Sequence, residues 1–452
     1  MNQPTHPTIR PRDREAVLQS LRAGVVPRHG LHLIQVGRAD EVKALMYDIT
    51  RIGDGGSAIR FIIGAYGSGK TFFINMIRAL ALEKGLVAAH VDLNPDRRLH
   101  GTGGQARSLY AELMRNLATR SKRDGGAMSS VVERFVGAAS QTARENGKRV
   151  GNVIHDYLGH LSEMTGGYDF AEVLGAYWKG YEGGNDILRT DAVRWLRGEF
   201  STRTEARKSL GVRTIVDDDN YYDHLKLMSR FLRLAGYGGL LLCLDEMVNL
   251  YKLGNTKART NNYEQILRIL NDVLQGSAEG LGVLFGGTPE FLTDQRRGLF
   301  SYEALESRLT ENRFAAVAGI KDMSGPVIRL ANLTPEDLFV LLTKLRYVHA
   351  GGNPEKFLIH DDGIKAFMNH CSKRIGSAYF QTPRNSIRAF LDLLAILEQQ
   401  QEPDWQGLLQ HVIIQNEDNP DLAPLENTDG ENNVCSTLSV RSEDDDFHEF
   451  KL

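Results

Sequence analysis

An α/β fold built around a parallel sheet is predicted by three features of the sequence. Short, mostly apolar segments alternate with helical ones, a glycine-rich loop joins the first of them to a helix, and two adjacent carboxylates close a later one. Apolar segments without alternation are strands covered on both faces, as in a parallel sheet flanked by helices.

In chain order, residues 15–53 carry apolar side chains at helical spacing (Val17, Leu18, Leu21, then Val42, Leu45, Met46, Ile49) broken by Gly30 and Gly37, which predicts two helices around a turn. Residues 58–63 form a β-branched and aromatic run, 71–84 a helix and 87–93 a second strand, together a βαβ unit. Residues 240–244 and 281–285 are two further buried-strand candidates and 326–330 a fifth. Between the second and third strands lie about 145 residues with helical patterns at 106–117, 129–144, 153–163, 170–181, 186–200 and 221–234. A crossover needs only about a dozen residues, so this stretch reads as an inserted helical subdomain. Helices at 335–349, 362–375 and 383–400 follow, and the chain then turns polar and acidic.

The organisation expected is therefore an N-terminal helical segment (1–53), an α/β core (54–333) with an insertion (95–238), a helical lid (334–414) and an acidic tail expected to be disordered (415–452).

With 452 residues, 42% hydrophobic and 25% charged, the chain is long enough for substantial cores. No stretch approaches the roughly 18 unbroken apolar residues of a membrane span, and the N-terminus is polar rather than signal-like. Cys243, Cys371 and Cys435 lie far apart, which suggests neither a disulfide framework nor a zinc site and fits a cytoplasmic location. The net charge of −3 conceals an asymmetry. Residues 427–452 hold seven acidic side chains against Arg441 and Lys451, a tail of −5 that leaves the rest at +2. That balance neither demands nor excludes a nucleic-acid partner.

The chemistry centres on Gly64-Ala65-Tyr66-Gly67-Ser68-Gly69-Lys70-Thr71, which fits G-x-x-x-x-G-K-[ST] between a strand and a helix. Such a loop curls its backbone N–H groups around phosphates, with Lys70 reaching the β- and γ-phosphates of ATP and Thr71 ligating Mg²⁺. Leu240-Leu241-Leu242-Cys243-Leu244-Asp245-Glu246 supplies the other half of the site. Its apolar strand delivers Asp245 to the Mg²⁺ shell and Glu246 as a candidate base for the attacking water. Thr288, closing the strand at 281–285, reads either as a sensor of the γ-phosphate or as a helix cap. Asn94, at the end of the second strand, reads as a turn asparagine rather than a restraint on Glu246.

Two arginines stand apart from ordinary surface cations. Arg384 opens a helix, where a cation opposes the helix dipole, a position that makes sense if a phosphate sits in front of it, and Arg308 follows a short helical stretch. Arg313 competes with Arg308 for the same role.

The order of glycine loop, Asp245-Glu246, Thr288, Arg308 and a helical lid bearing Arg384 resembles the AAA+ ATPases, nearest the branch of the origin-recognition proteins. More narrowly, Val25-Val26-Pro27-Arg28-His29-Gly30-Leu31, Val36-Gly37-Arg38, Phe72-Phe73 after the loop and Tyr302-Glu303-Ala304-Leu305-Glu306-Ser307-Arg308-Leu309 resemble the BrxC/BrxD ATPase family of bacterial BREX phage-defence systems, the shorter BrxD branch above all. The resemblance spans roughly residues 12–400. It implies an ATPase working as a homo-oligomer beside a helicase, a methyltransferase or other defence proteins on DNA. It also implies that Val36 and Arg38 lie near the adenine and that Arg308 serves a neighbour's site. Origin-recognition relatives carry a C-terminal winged-helix domain, for which the residues after Gln400 are too few, so any DNA grip is expected elsewhere.

Basic clusters at Arg203, Arg207, Lys208 and Arg213, and at Lys252, Lys257 and Arg259, are candidates for non-specific contact with double-stranded DNA, although charged helix faces are commonly just solvated. Against the DNA-handling motor stand a nucleotide-switched signalling or assembly scaffold with slow turnover and a kinase. The kinase fits least, because Asp245-Glu246 suits water activation and no acceptor pocket is legible.

Overall fold

The computed structural model describes residues 9–312, 314, 317, 320–375, 383–400 and 404–410. Arg313, Cys435 and the acidic tail lie outside the described residues. The five expected strands are present as β1 (Ala58–Ile63), β2 (Val87–Asp92), β3 (Leu240–Asp245), β4 (Leu281–Gly287) and β5 (Val327–Arg329). They form one parallel sheet in the order β2-β3-β4-β1-β5. β1, β3 and β4 are buried throughout, as strands covered on both faces must be, with Arg60 of β1 buried against Asp48 at 2.6 Å, whereas the edge strands end on the exposed Asp92 and Arg329.

Alternation along β1 divides the core. Ile59, Phe61 and Ile63 face one side and Ala58 and Ile62 the other. The Ala58 side is covered by the helices Ala39–Gly53 and Lys70–Glu83 through Leu45, Ile49, Ile52, Phe73, Ile74 and Ile77. On the Ile59 side Phe61 meets Phe285 with ring centroids 5.0 Å apart, and the apolar layer continues without a break into the insertion. The insertion thus shares the sheet's core.

Six helices of the insertion, Gln105–Arg115, Met128–Asn146, Val150–Ser162, Gly167–Glu182, Asp186–Leu196 and Tyr221–Leu234, overlap the periodic segments of the sequence. Arg203–Leu210 is a seventh helix, too polar for an apolar period to reveal, capped by Thr202 and ended by a left-handed Gly211. Between β3 and β4 runs Thr256–Leu274, capped by Asn255.

The helices Pro335–His349, Asp361–Ile375 and Pro383–Gln399 form a third apolar cluster, and the first of them starts in a Thr334/Asp337 capping box. The N-terminal helix Pro11–Arg22 joins this cluster through Val17 and Leu18, while Ala39–Gly53 packs on the sheet. Pro11–Arg22 and Ala39–Gly53, separated by the short helix Leu31–Ile34, therefore belong to different layers. Residues of the connection between them line the same cleft as the glycine loop.

Candidate functional site

The glycine loop leaves β1 and enters Lys70–Glu83 through Gly69, whose φ of 84° is left-handed and costs glycine nothing. The helix starts without a side-chain cap, so its first N–H groups point into the loop. Lys70 Nζ donates to the Ala65 carbonyl at 3.1 Å. Arg38 holds the loop from outside, donating to the Ser68 carbonyl at 2.6 Å and to the Ala331 carbonyl at 3.2 Å. Burial lowers the Arg38 pKa, with Glu41 and Asp337 opposing that shift.

Across from the loop, β3 ends in Asp245, which is 1% exposed. Thr71 Oγ1 donates to Asp245 Oδ2 at 2.7 Å, and the Glu246 N–H donates to Asp245 Oδ1 at 2.9 Å. The carboxylate has room because its neighbour on β4 is Gly286, where a Cβ would collide with it. Two residues 174 positions apart are thus joined where the glycine loop meets the end of β3.

Glu246 has a φ of 56° and Arg38 a φ of 61°, the two positive values carried by non-glycine residues among those described. Such backbones are strained and persist where the surroundings hold them. Both residues line the same cleft, a space of 1540 Å³ bounded by the glycine loop, the N-terminal connection that includes Val36, and the start of the last long helix. From that helix Arg384 Nη1 approaches Tyr66 Oη at 3.3 Å, which places its guanidinium over the loop.

Thr288 is buried at the end of β4, and its Oγ1 accepts from the Phe291 N–H at 3.3 Å, the geometry of the cap alternative. Because β4 lies between β1 and β3, Thr288 still stands laterally between loop and carboxylates. Asn94 Oδ1 accepts from the Asp96 N–H, as a turn asparagine does. Arg308, in the helix Glu303–Leu309, donates to Asn271 Oδ1 at 2.9 Å and to the Ala304 carbonyl at 2.8 Å. Asn271 belongs to the last turn of Thr256–Leu274, which runs back toward the start of β4, so Arg308 is held away from the loop of its own chain. Of the two basic clusters, Arg259 is buried and donates to the Leu253 carbonyl, which removes it from any surface patch.

Sequence reasoning passed over His90 and Asp92. They share one face of β2, and Asp92 is in register with Asp245. Burial lowers the His90 pKa against the pull of Asp92 and Asp245, and burial raises that of Asp92. The available signal was period two: in Val87-Ala88-Ala89-His90-Val91-Asp92 the polar side chains fall on alternate positions just before the strand ends.

The family model described as "BREX system ATP-binding protein BrxC/D" matches residues 9–413, which include the glycine loop, the carboxylates, the insertion and the C-terminal helices. This chain belongs to the BrxC/D family. No curated protein matches it. As a BrxC/D protein it is an ATP-binding protein, and the glycine loop at the carboxyl end of β1 lies within the matched residues. Among the described residues of this BrxC/D chain, no helix is long and apolar enough to cross a membrane.

Proposed function

We propose that this BrxC/D protein hydrolyses ATP with Mg²⁺ as a cytoplasmic, AAA+-like motor of a bacterial phage-defence system, nearest the BrxD branch. The observation that carries the proposal is the 2.7 Å bond between Thr71 and Asp245, with Glu246 next in the chain and Lys70 before Thr71. Two hard oxygen donors side by side suit Mg²⁺, which when bound offsets charge on the β- and γ-phosphates. Lys70 binds those phosphates, Glu246 takes the proton of the attacking water, and Arg384 approaches the γ-phosphate from the lid. The strand order, with one strand between loop strand and carboxylate strand, supports the AAA+ reading.

Arg308 serves a neighbour's site in a homo-oligomer, since its own loop is out of its reach. DNA contact, in company with a helicase or methyltransferase, is non-specific and runs through Arg207, Lys208 and Arg213; Arg203 in that cluster is already paired with Asp217 at 3.2 Å.

Phosphate release by mixtures of Lys70→Ala and Arg308→Ala subunits tests the motor. Each variant alone is expected to be inactive and the mixture partly active, with the wild type further stimulated by duplex DNA in a salt-sensitive way. A dead mixture, together with wild-type specific activity independent of protein concentration and of DNA, supports the slow nucleotide switch instead.

A further inference from the structure

On the β2 wall of the cleft, next to Asp245, stand two further donors, His90 and Asp92, that the proposed nucleotide chemistry does not use. His90, Asp92 and Asp245 each offer one ligand atom, and these atoms lie within 4.8 Å of one another. We propose that they bind a divalent first-row transition ion of the Zn²⁺ or Mn²⁺ class, at a position distinct from the Mg²⁺ position between Thr71 and the nucleotide.

The backbone fixes this arrangement. His90 and Asp92 are two apart on β2 and point the same way, and the parallel register sets Asp92 opposite Asp245. His90 Nε2 and Asp92 Oδ1 are 3.5 Å apart, close to the roughly 3.4 Å that separates neighbouring ligands around a tetrahedral ion bonded at about 2.1 Å. His90 Nε2 is itself buried and has no hydrogen-bond partner, an orphaned lone pair or proton that a metal would satisfy. An imidazole with two carboxylates suits borderline ions, whereas Mg²⁺ takes oxygen alone.

Two cations act against the site, and both have other engagements. Arg97 is 3.6 Å from Glu112, and Arg78 Nη2 donates to the Arg123 carbonyl at 2.7 Å. A bound ion ties the edge strand β2 to β3 next to Glu246, and it does so whether or not ATP is turned over.

The test is a Co²⁺ titration of the tag-free full-length chain without nucleotide, followed by visible ligand-field absorption. Wild type is expected to saturate at one equivalent, with Zn²⁺ displacing the Co²⁺ and excess Mg²⁺ leaving it in place. Thr71→Ala keeps the signal. His90→Gln and Asp92→Asn each weaken binding by more than about tenfold, since even partners outside the ligand shell are worth roughly 10–100-fold. Absence of the bands in wild type, displacement by Mg²⁺, or a signal lost in Thr71→Ala but kept in both β2 variants would overturn the assignment. The wild-type competition reads out even where a variant fails to fold, and none of these results depends on ATP hydrolysis.

Discussion

The carboxyl edge of the sheet and the helical insertion both bury polar groups, but they orient them in opposite ways. At the edge, Asp245 is held by Thr71 and the Glu246 N–H, two groups that border the cleft, and Glu246 itself sits on strained backbone. In the insertion, Asp169 accepts from the Arg213 N–H, the Thr214 N–H and Thr214 Oγ1 at 3.1, 2.8 and 2.6 Å. Trp195 Nε1 donates to the Thr214 carbonyl and Tyr110 Oη to the Leu196 carbonyl, while His224 packs edge-on against both rings. Each of these insertion bonds closes the insertion on itself. Polar groups there fix the packing, and polar groups at the edge face the cleft.

The sharpest way to break this contrast is Lys70→Ala. Among the described residues the amine donates one hydrogen bond, to Ala65, so its loss is expected to lower ATP binding or turnover by orders of magnitude while leaving the melting temperature almost unchanged. Calorimetric ATP titration beside a thermal melt decides it. A melting point that falls in step with affinity would mean the edge is built like the insertion.

Trp195→Ala is the mirror experiment. The side chain is fully buried among Phe170 and His224, so its truncation is expected to cost about 3–5 kcal/mol in urea unfolding, with ATP affinity of the remaining folded protein preserved.

His224 gives the insertion a pH dependence. Burial lowers its pKa from 6.5 to about 4, so between those values the unfolded chain binds a proton that the folded chain refuses. Stability at this site is therefore complete above pH 6.5 and declines as pH falls toward 4, by about 2 kcal/mol at pH 5. Urea midpoints at pH 7 and pH 5 in wild type and His224→Gln test it, and the pH-dependent part is expected to shrink in the variant.

Arg38→Gln has the smallest expected effect and probes the border between the two behaviours. It removes charged hydrogen bonds to Ser68 and Ala331 worth about 1.5 kcal/mol, and a weakening of ATP affinity by about tenfold is expected as the loop loosens. Unchanged affinity would assign Arg38 to packing alone.

How much of this was legible in the sequence follows from the same contrast. The strands could be read because β3 and β4 are apolar on both faces up to Asp245 and β1 is apolar but for Arg60, and the loop because glycine spacing reports backbone shape directly. The helix Arg203–Leu210 escaped because its only buried side chain is Ala206, which leaves no apolar period. The meeting of Thr71 with Asp245 could be expected from the motifs, but the Arg38 brace could not, because it depends on a left-handed residue and on contacts to positions 68 and 331. His90 was hidden by standing in a strand that otherwise looks like plain core. The split of the two N-terminal helices between layers depends on Val17 and Leu18 finding the C-terminal helices, a pairing that no local pattern encodes.

The central claim is that the cleft at the sheet edge binds ATP and hydrolyses it through Glu246. Its most direct test is Glu246→Gln, with ATP affinity and phosphate release measured on the same preparation. The expected result is ATP binding at wild-type strength with phosphate release reduced by about 100-fold or more, the loss of a positioned base. Phosphate release that continues at the wild-type rate would contradict the claim.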